Sequence, residues 1–165
     1  MLSLLLKSFI NFIIIREVSE EDLEAFVEDY IKAYSDLKEY KYTSKKDIKS
    51  YFKWLYKRDK EGFFVAEVDG KIVGFAAGDA NWINSEGEKV LEIHEIFVIP
   101  EMRGKGIGTK LIEKLLEYGK KKGLKMVELW VGEKNYKAIE FYKTLNFKET
   151  GHGGKWIRMI KFLDS

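Results

Sequence analysis

The chain has 165 residues, and its 29 lysines and arginines nearly balance its 27 aspartates and glutamates, which leaves a formal net charge of +2. A charge this small excludes the broad basic surface that recruits nucleic acid or anionic membrane. The sequence contains no cysteine, which excludes disulfides, thiolate metal sites and a cysteine nucleophile. The length fits a single domain, and 45% hydrophobic residues are enough to build its core.

The N-terminal segment, residues 1–11, is apolar but interrupted by Lys7 and Asn11. It falls short of the roughly 20 apolar residues that a membrane-spanning helix requires. We expect an apolar arm that packs on the domain or on a second subunit of a homodimer, with an interfacial membrane anchor as the alternative. The domain is predicted over residues 12–165 and begins with a strand at residues 12–16. A cytoplasmic location is compatible with the lack of cysteine.

Two amphipathic helices are predicted next, one after Ser19 and one after Ser44. The Ser19 hydroxyl can cap its helix, and the acidic residues behind it favour the positive end of the helix dipole. In both segments apolar residues recur at helical spacing, so each helix has one face to bury. These residues are Leu23, Phe26, Val27, Tyr30 and Ile31 in the first helix, and Ile48, Phe52 and Leu55 in the second.

A hairpin is predicted around Asp69 and Gly70, a residue pair that favours a tight turn. The flanking strands are expected at residues 63–68 and 72–77 and should pair antiparallel. Trp82 is expected in the loop that follows.

A long strand is predicted at residues 89–99, followed by the glycine-rich segment 103–108, Arg-Gly-Lys-Gly-Ile-Gly, and by a helix from about Thr109. Glycines leave backbone N–H groups unshielded, and a helix N-terminus adds partial positive charge, so this turn is suited to a phosphate. It is neither a Walker loop nor a dinucleotide fingerprint, because Thr109 stands where the latter needs glycine. A glycine-rich turn without a ligand is the alternative.

The remaining elements are a strand at residues 126–131, a helix at 135–145 and a strand at 156–163. The order predicts a mixed α/β fold, with one twisted mixed sheet of about six to seven strands and about four helices. At 100° per residue, positions 135, 138 and 142 share one helix face, so Asn135 and Tyr142 can address the same ligand.

These elements resemble the GNAT superfamily of N-acetyltransferases. The acyl-CoA loop of that family reads Gln/Arg-x-x-Gly-x-Gly/Ala, and its second motif reads Asn-x-x-Ala-x-x-x-Tyr. Here the first pattern is met at residues 103–108 and the second at residues 135–142. The family usually continues with Leu-Gly-Phe, whereas this chain has Asn146 in place of the glycine. Asparagine also tolerates the left-handed conformation that ends a helix, so the departure is mild.

The resemblance implies a single-domain enzyme that transfers an acetyl group from acetyl-CoA to an amine by direct attack, without a metal. It implies that the pantetheine arm contacts Phe97, the Val98 backbone and Asn135, and that Tyr142 is the general acid for the CoA thiolate. Tyr142 as one more aromatic residue at the edge of the core is the alternative. The implied diphosphate-binding residues are Arg103, Gly104, Lys105, Gly106, Ile107, Gly108 and Thr109.

The general base is a choice among Glu92, His94 and Glu95, which the sequence leaves open. Histidine has an intrinsic pKa near neutrality, whereas glutamate needs burial to raise its pKa. In polyamine-type members of the family, acidic residues at the positions of His94 and Glu95 bind and deprotonate the amine, so we assign the role to these two jointly. A purely structural pair is the alternative. Simple alternation predicts Glu92 and His94 on one face of the strand with Ile96 and Val98, and Glu95 on the other with Ile93 and Phe97.

The acceptor is expected to be the amine of a small molecule or a peptide. Aromatic residues crowd the first helices and suit a cationic amine, but they equally suit helix packing. The main rival is a catalytically inactive CoA-binding regulatory or partner module on the same fold. A nucleic-acid-binding role for the lysines near Gly123 is disfavoured, because cations commonly occupy a helix C-terminus.

Overall fold

The computed structural model describes residues 12–164, so the arm predicted at residues 1–11 lies outside the described residues. Seven strands form one mixed sheet in the spatial order β1-β2-β3-β4-β5-β7-β6. The strands are β1 Ile13–Glu17, β2 Phe63–Val68, β3 Lys71–Ile83, β4 Lys89–Val98, β5 Met126–Gly132, β6 Lys148–Gly153 and β7 Trp156–Phe162.

Two layers of helices cover the sheet. Helices α1 (Leu23–Ala33) and α2 (Lys45–Arg58) pack on one face in a cluster dominated by aromatic residues. Helices α3 (Ile107–Lys121) and α4 (Tyr136–Thr144) pack on the other face, in a mainly aliphatic cluster. The predicted α/β architecture is confirmed. Among residues 12–164, no helix combines the length and apolar character needed to cross a membrane.

Local backbone chemistry explains two turns as predicted. Asp69 and Gly70 both have positive φ angles, 51° and 80°, and join β2 and β3 as an antiparallel hairpin. Asn146 follows α4 with a φ of 68°, the left-handed conformation for which asparagine substitutes well.

Two strand predictions were wrong. β3 does not end at residue 77 but continues to Ile83, so Trp82 lies in a strand and not in a loop. β6 was not predicted at all, because its sequence Lys-Glu-Thr-Gly-His-Gly has no apolar residue and all of it is exposed. Backbone pairing with β7 places β6 at the edge of the sheet, where no side chain needs to be buried.

Candidate active site

The sheet opens between β4 and β5. These parallel strands pair only over residues 91–93 and 127–129. Beyond that point β4 continues on its pairing with β3, and β5 continues on its pairing with β7. The facing edges of β4 and β5 therefore diverge, and their N–H and C=O groups are no longer used by each other. This gap is where an extended ligand can pair with a strand.

A β-bulge at His94 decides which side chains of β4 face the two helix layers. The register between β3 and β4 skips His94, which has no partner opposite it. Ile93 and Ile96 therefore both pack in the aliphatic cluster with α3, although they are three positions apart. Glu95 points to the opposite face, toward α1 and α2.

The predicted alternation along β4 was therefore wrong. Ile93 lies on the same face as Ile96 and Val98, and not with Glu95. The opposite face carries all three candidate bases together with Phe97, because the extra residue in the bulge shifts the pattern by one. The bulge thus brings His94 and Glu95, neighbours in sequence, to the same side of the sheet.

Glu95 is buried, 9% exposed, and its carboxylate is held by two phenols. Tyr34, at the end of α1, donates a hydrogen bond to Oε1, and Tyr51 of α2 donates to Oε2 at 2.9 Å. Burial raises the pKa of Glu95 to about 7, and the hydrogen bonds from Tyr34 and Tyr51 limit the rise. A carboxyl group with this pKa can accept a proton at neutral pH.

His94 belongs to a second polar group on the same face. Its Nε2 lies 2.9 Å from Oδ2 of the fully buried Asp79, which also accepts a 2.7 Å hydrogen bond from Nε of Arg58. The His94 ring lies edge-on to Trp54 and Trp82, each at 4.8 Å between ring centroids. Burial disfavours the Asp79 anion, but the His94 and Arg58 hydrogen bonds outweigh it and lower its pKa to about 2.

Six residues on this face of the sheet contact one another around His94 and Glu95, and we call them the acceptor wall: Tyr34, Tyr51, Trp54, Trp82, His94 and Glu95. Sequence reasoning missed Asp79 and Arg58 as partners of the wall. The signal for Asp79 was weak, because a single carboxylate in what looked like a loop is usually solvated. The sequence does not distinguish Tyr34 and Tyr51 from the other aromatic residues of the first helices, because their hydrogen bonds to Glu95 link distant segments.

Glu92 has a different environment from the other two candidate bases. It lies opposite Glu128 in the β4–β5 pair, and burial, followed by the hydrogen bond to Glu128, raises its pKa far above the usual range. Glu128 in turn accepts a hydrogen bond from the buried Arg158. Glu92 is therefore protonated at neutral pH and is the weakest of the three candidates for a base.

Tyr142 lies in the opposite helix layer. It lies on α4, is 7% exposed and packs between Phe141 and Phe147. Burial raises the pKa of its phenol, and the negative charge of Glu95 raises it further. The Glu95 charge therefore acts on the Tyr142 phenol, although Glu95 points from β4 toward α1 and α2 and Tyr142 lies on α4, which covers the other face of the sheet.

Residues 103–109, which we call the donor loop, follow β4 and lead into α3. Gly104 and Gly106 have φ angles of 74° and 81°, a conformation that favours glycine, and Gly106 is the residue immediately before α3. Within residues 12–164, the N–H groups from Gly104 to Thr109 have no protein acceptor. A Cβ at Gly108 would lie 3.3 Å from the Phe141 ring, so a larger residue there would require the ring to shift slightly.

The other predicted cofactor contacts lie around the same gap. The Asn135 side chain accepts a hydrogen bond from the Ala138 N–H at 3.4 Å and so caps α4, which leaves its amide nitrogen free to donate. The Phe97 ring is buried among other aromatic rings, so only its backbone can meet a ligand. The Arg103 guanidinium is bonded to two backbone carbonyls of the protein.

Metal-binding groups and cavities elsewhere in the described chain were compared with this region. No group of three or more histidine or acidic side chains within residues 12–164 is arranged to hold a metal ion. A cavity of about 870 Å³ lies between α2, β3 and the end of α3, but neither Glu95, Tyr142 nor the donor loop lines it.

The fold agrees with those of known proteins to which the chain is similar. Residues 23–147 match the model of the "Acetyltransferase (GNAT) family". The chain is 57% identical over 148 residues to an uncharacterised N-acetyltransferase of Methanocaldococcus jannaschii, a match that covers 89% of this chain and 66% of that relative. It is 51% identical to an uncharacterised N-acetyltransferase of Archaeoglobus fulgidus, over 85% of this chain and 96% of the relative.

Solved structures are similar over nearly the whole chain. A protein from Pyrococcus horikoshii superposes with a TM-score of 0.84 at 39% identity, covering 93% of this chain and 100% of its own. An N-acetyltransferase from Thermoplasma acidophilum, solved in complex with coenzyme A, superposes with a TM-score of 0.70 at 25% identity, covering 92% and 99%.

The chain belongs to the GNAT acetyltransferase family. The resemblance found in the sequence and the enzyme class that it implies, an N-acetyltransferase, are confirmed. The individual site residues and the acceptor stay predictions.

Proposed function

We propose that this protein transfers the acetyl group of acetyl-CoA to an amine by direct attack, with Glu95 as the general base and Tyr142 as the general acid. The proposal is supported by the open edge of β4 next to Glu95 and by the influence of the Glu95 charge on the pKa of Tyr142, which puts the two groups within electrostatic reach of each other. The donor loop lies where β4 ends, so a cofactor bound there can extend its thioester into the gap.

The donor side of the proposal rests on free backbone donors. The N–H groups from Gly104 to Thr109 can surround a diphosphate at the N-terminus of α3, and Lys105 adds a positive charge. The pantetheine arm can pair with the free edge of β4 near Val98 and accept a hydrogen bond from Asn135. The coenzyme A complex of the Thermoplasma acidophilum relative supports acetyl-CoA as the donor.

In the proposed reaction the amine nitrogen attacks the thioester carbonyl carbon and its proton passes to Glu95. Free N–H groups of β4 can donate to the carbonyl oxygen while it carries negative charge. The C–S bond then breaks, and Tyr142 gives its proton to the departing thiolate. The proton held by Glu95 returns to the Tyr142 phenolate, directly or through solvent, so the products are an amide and free CoA.

Proton uptake by Glu95 helps the acid step. One of the two causes that raise the pKa of Tyr142 is the Glu95 charge. Once Glu95 has taken the amine proton, that charge is gone and the phenol becomes a stronger acid as the thiolate leaves. The two groups therefore act one after the other. The reaction starts with Glu95 ionised and Tyr142 protonated.

His94 is proposed to position the acceptor. Its Nε2 is occupied by Asp79 and its ring lies between two tryptophans, so it forms part of a rigid surface. The exposed Trp54, which packs against His94, suits the amine of a small molecule or a peptide, whose cation can be held by the aromatic face before it loses a proton to solvent and attacks as the neutral amine.

The proposal is tested by two measurements on the same preparation. CoA is expected to raise the melting temperature, and thiol detection with a broad amine panel is expected to give acetyl-CoA-dependent release of free CoA. A thermal shift without thiol release from any amine would instead favour an inactive CoA-binding module. No thermal shift at millimolar CoA would contradict donor binding itself.

A further inference from the structure

The Arg103 side chain is tied to the body of the protein. Its Nη2 donates a 2.7 Å hydrogen bond to the carbonyl oxygen of Ala33, and its Nε donates at 3.2 Å to that of Val98. Its backbone N–H is also used, by the carbonyl of Pro100 at 3.2 Å. Arg103, which the sequence assigned to the diphosphate, thus directs its Nε and one N–H of its Nη2 to protein carbonyls.

Neither carbonyl oxygen receives a hydrogen bond from the helix or strand to which it belongs. Ala33 is the last residue of α1, and the final carbonyls of a helix have no N–H donor within that helix. Val98 is the last residue of β4, whose edge toward β5 is open. A guanidinium at a helix C-terminus is also favoured by the helix dipole. Turning Arg103 toward a diphosphate would leave both carbonyls without this donor.

The Ala33 end of this contact adjoins the acceptor wall. Tyr34 is the next residue, and its hydroxyl donates to Oε1 of Glu95. The position of the Tyr34 ring depends on how α1 ends, which the Arg103 contact with Ala33 helps to fix. Val98 at the other end lies on the same strand as Glu95.

We propose that Arg103 is a positioning residue, which joins the donor loop to the end of α1 and thereby holds Tyr34 against Glu95. The diphosphate charge is then met by the N–H groups from Gly104 to Thr109 and by Lys105, an exposed cation of the same loop. This inference rests on the proposed function, because it gives Arg103 a part in the acceptor half of that site.

Two acetyl donors distinguish the positioning role of Arg103 from a role in diphosphate binding. Acetyl-CoA carries the diphosphate, and S-acetylpantetheine carries the same thioester arm without it. We expect Arg103→Ala to lower kcat/KM by about tenfold with both donors, because it misplaces the acceptor wall. Lys105→Ala is expected to cost more with acetyl-CoA than with S-acetylpantetheine. Arg103→Lys, which keeps a donor for one carbonyl, should recover part of the loss. A loss for Arg103→Ala confined to acetyl-CoA, or no loss with either donor, would overturn the proposal.

A second readout needs no turnover. The titration of Glu95 in the free protein can be followed by NMR of ¹³Cδ-labelled glutamate, with the signal assigned from Glu95→Gln. Because the Tyr34 hydrogen bond lowers the pKa of Glu95, its loosening in Arg103→Ala should raise the titration midpoint, while Lys105→Ala should leave it in place. The other groups that face Glu95 are common to both variants: Tyr30, Tyr42, Tyr51, His94, Tyr142 and the N–H of Ile96.

The activity assay and the Glu95 titration separate failure of the proposed function from failure of the Arg103 proposal. Wild-type protein without thiol release from either donor would count against the proposed function, while the titration would still test Arg103. An unchanged midpoint in folded Arg103→Ala would overturn the positioning role, whatever the activity. Should Arg103→Ala not fold, Arg103→Gln, which keeps a side-chain N–H donor, takes its place in both measurements.

Discussion

The donor loop follows the end of β4, whereas the acceptor wall lies on the face of the sheet that α1 and α2 cover, and the two regions offer different atoms to a ligand. The donor loop offers backbone N–H groups, and its glycines keep side chains out of their way. The acceptor wall offers side chains, whose ionisation depends on partners from other elements, as for Glu95 with Tyr34 and Tyr51. Binding of the donor should therefore be sensitive to backbone conformation, and reaction with the acceptor should be sensitive to single polar atoms.

Glu95→Gln removes the proposed base while keeping the size of the side chain. We expect kcat/KM to fall by roughly a hundredfold or more, the usual range for loss of a general base. The rise in melting temperature on CoA binding should be retained, because the donor loop is untouched. Thiol release near the wild-type rate would contradict the assignment and return the role to His94.

Tyr142→Phe removes the proposed acid and leaves the ring in its packing site. We expect kcat to fall by about a hundredfold with little change in affinity for acetyl-CoA, measured by calorimetry. Tyr136→Phe, on the same helix but 69% exposed, is the matched control and should behave as wild type. Equal turnover in both variants would exclude Tyr142 as the acid.

Gly106→Ala tests whether the donor loop works through its backbone. Alanine at a φ of 81° is expected to cost about 1–2 kcal/mol of folding stability and to weaken CoA binding by about tenfold, because the first N–H groups of α3 are reoriented. Gly123→Ala carries similar strain, at a φ of 74°, but lies just after α3. It should lose stability and keep CoA affinity, so equal loss of affinity in both variants would contradict a specific role for the loop.

The smallest expected effect is a shift in pH dependence. The reaction needs ionised Glu95, whose pKa is about 7, so kcat/KM should fall as the pH drops through this value. Tyr51→Phe removes a hydrogen bond that favours the ionised form, so the acidic limb of the profile should move to higher pH. Tyr56→Phe on the same helix provides the control, and a limb that stays in place in Tyr51→Phe would show that another group controls it.

The sequence predicted local structure well wherever that structure depends on the backbone conformation that a single residue type allows. The positive φ angles at Gly70, Gly106 and Asn146 follow from residue types that tolerate them. The same holds for the donor loop as a whole, because its glycine spacing is a local pattern next to a helix start. The two family motifs were therefore readable before any tertiary contact was known.

The acceptor wall was less readable because it depends on contacts between distant segments. The bulge at His94 leaves no mark in the amino-acid pattern, so simple alternation placed Glu92 and His94 on the face opposite Glu95, and Ile93 on the same face as Glu95. Asp79 was overlooked because β3 extends further than its apolar residues indicate, so a carboxylate buried beneath His94 looked like part of a loop. Partners such as Tyr34 and Glu95 meet only after the fold has formed.

Because of the bulge, the pairing of β4 with β3 constrains His94 less than its neighbour Glu95. Glu95 has a regular partner on β3, whereas His94 is the supernumerary residue of the strand. A β4 shortened by His94 alone would restore an ordinary pleat, with Ile93, Ile96 and Glu95 still facing as they do now. Replacement or loss of the histidine is therefore expected to change the surface of the acceptor wall while the Glu95 carboxylate keeps its direction.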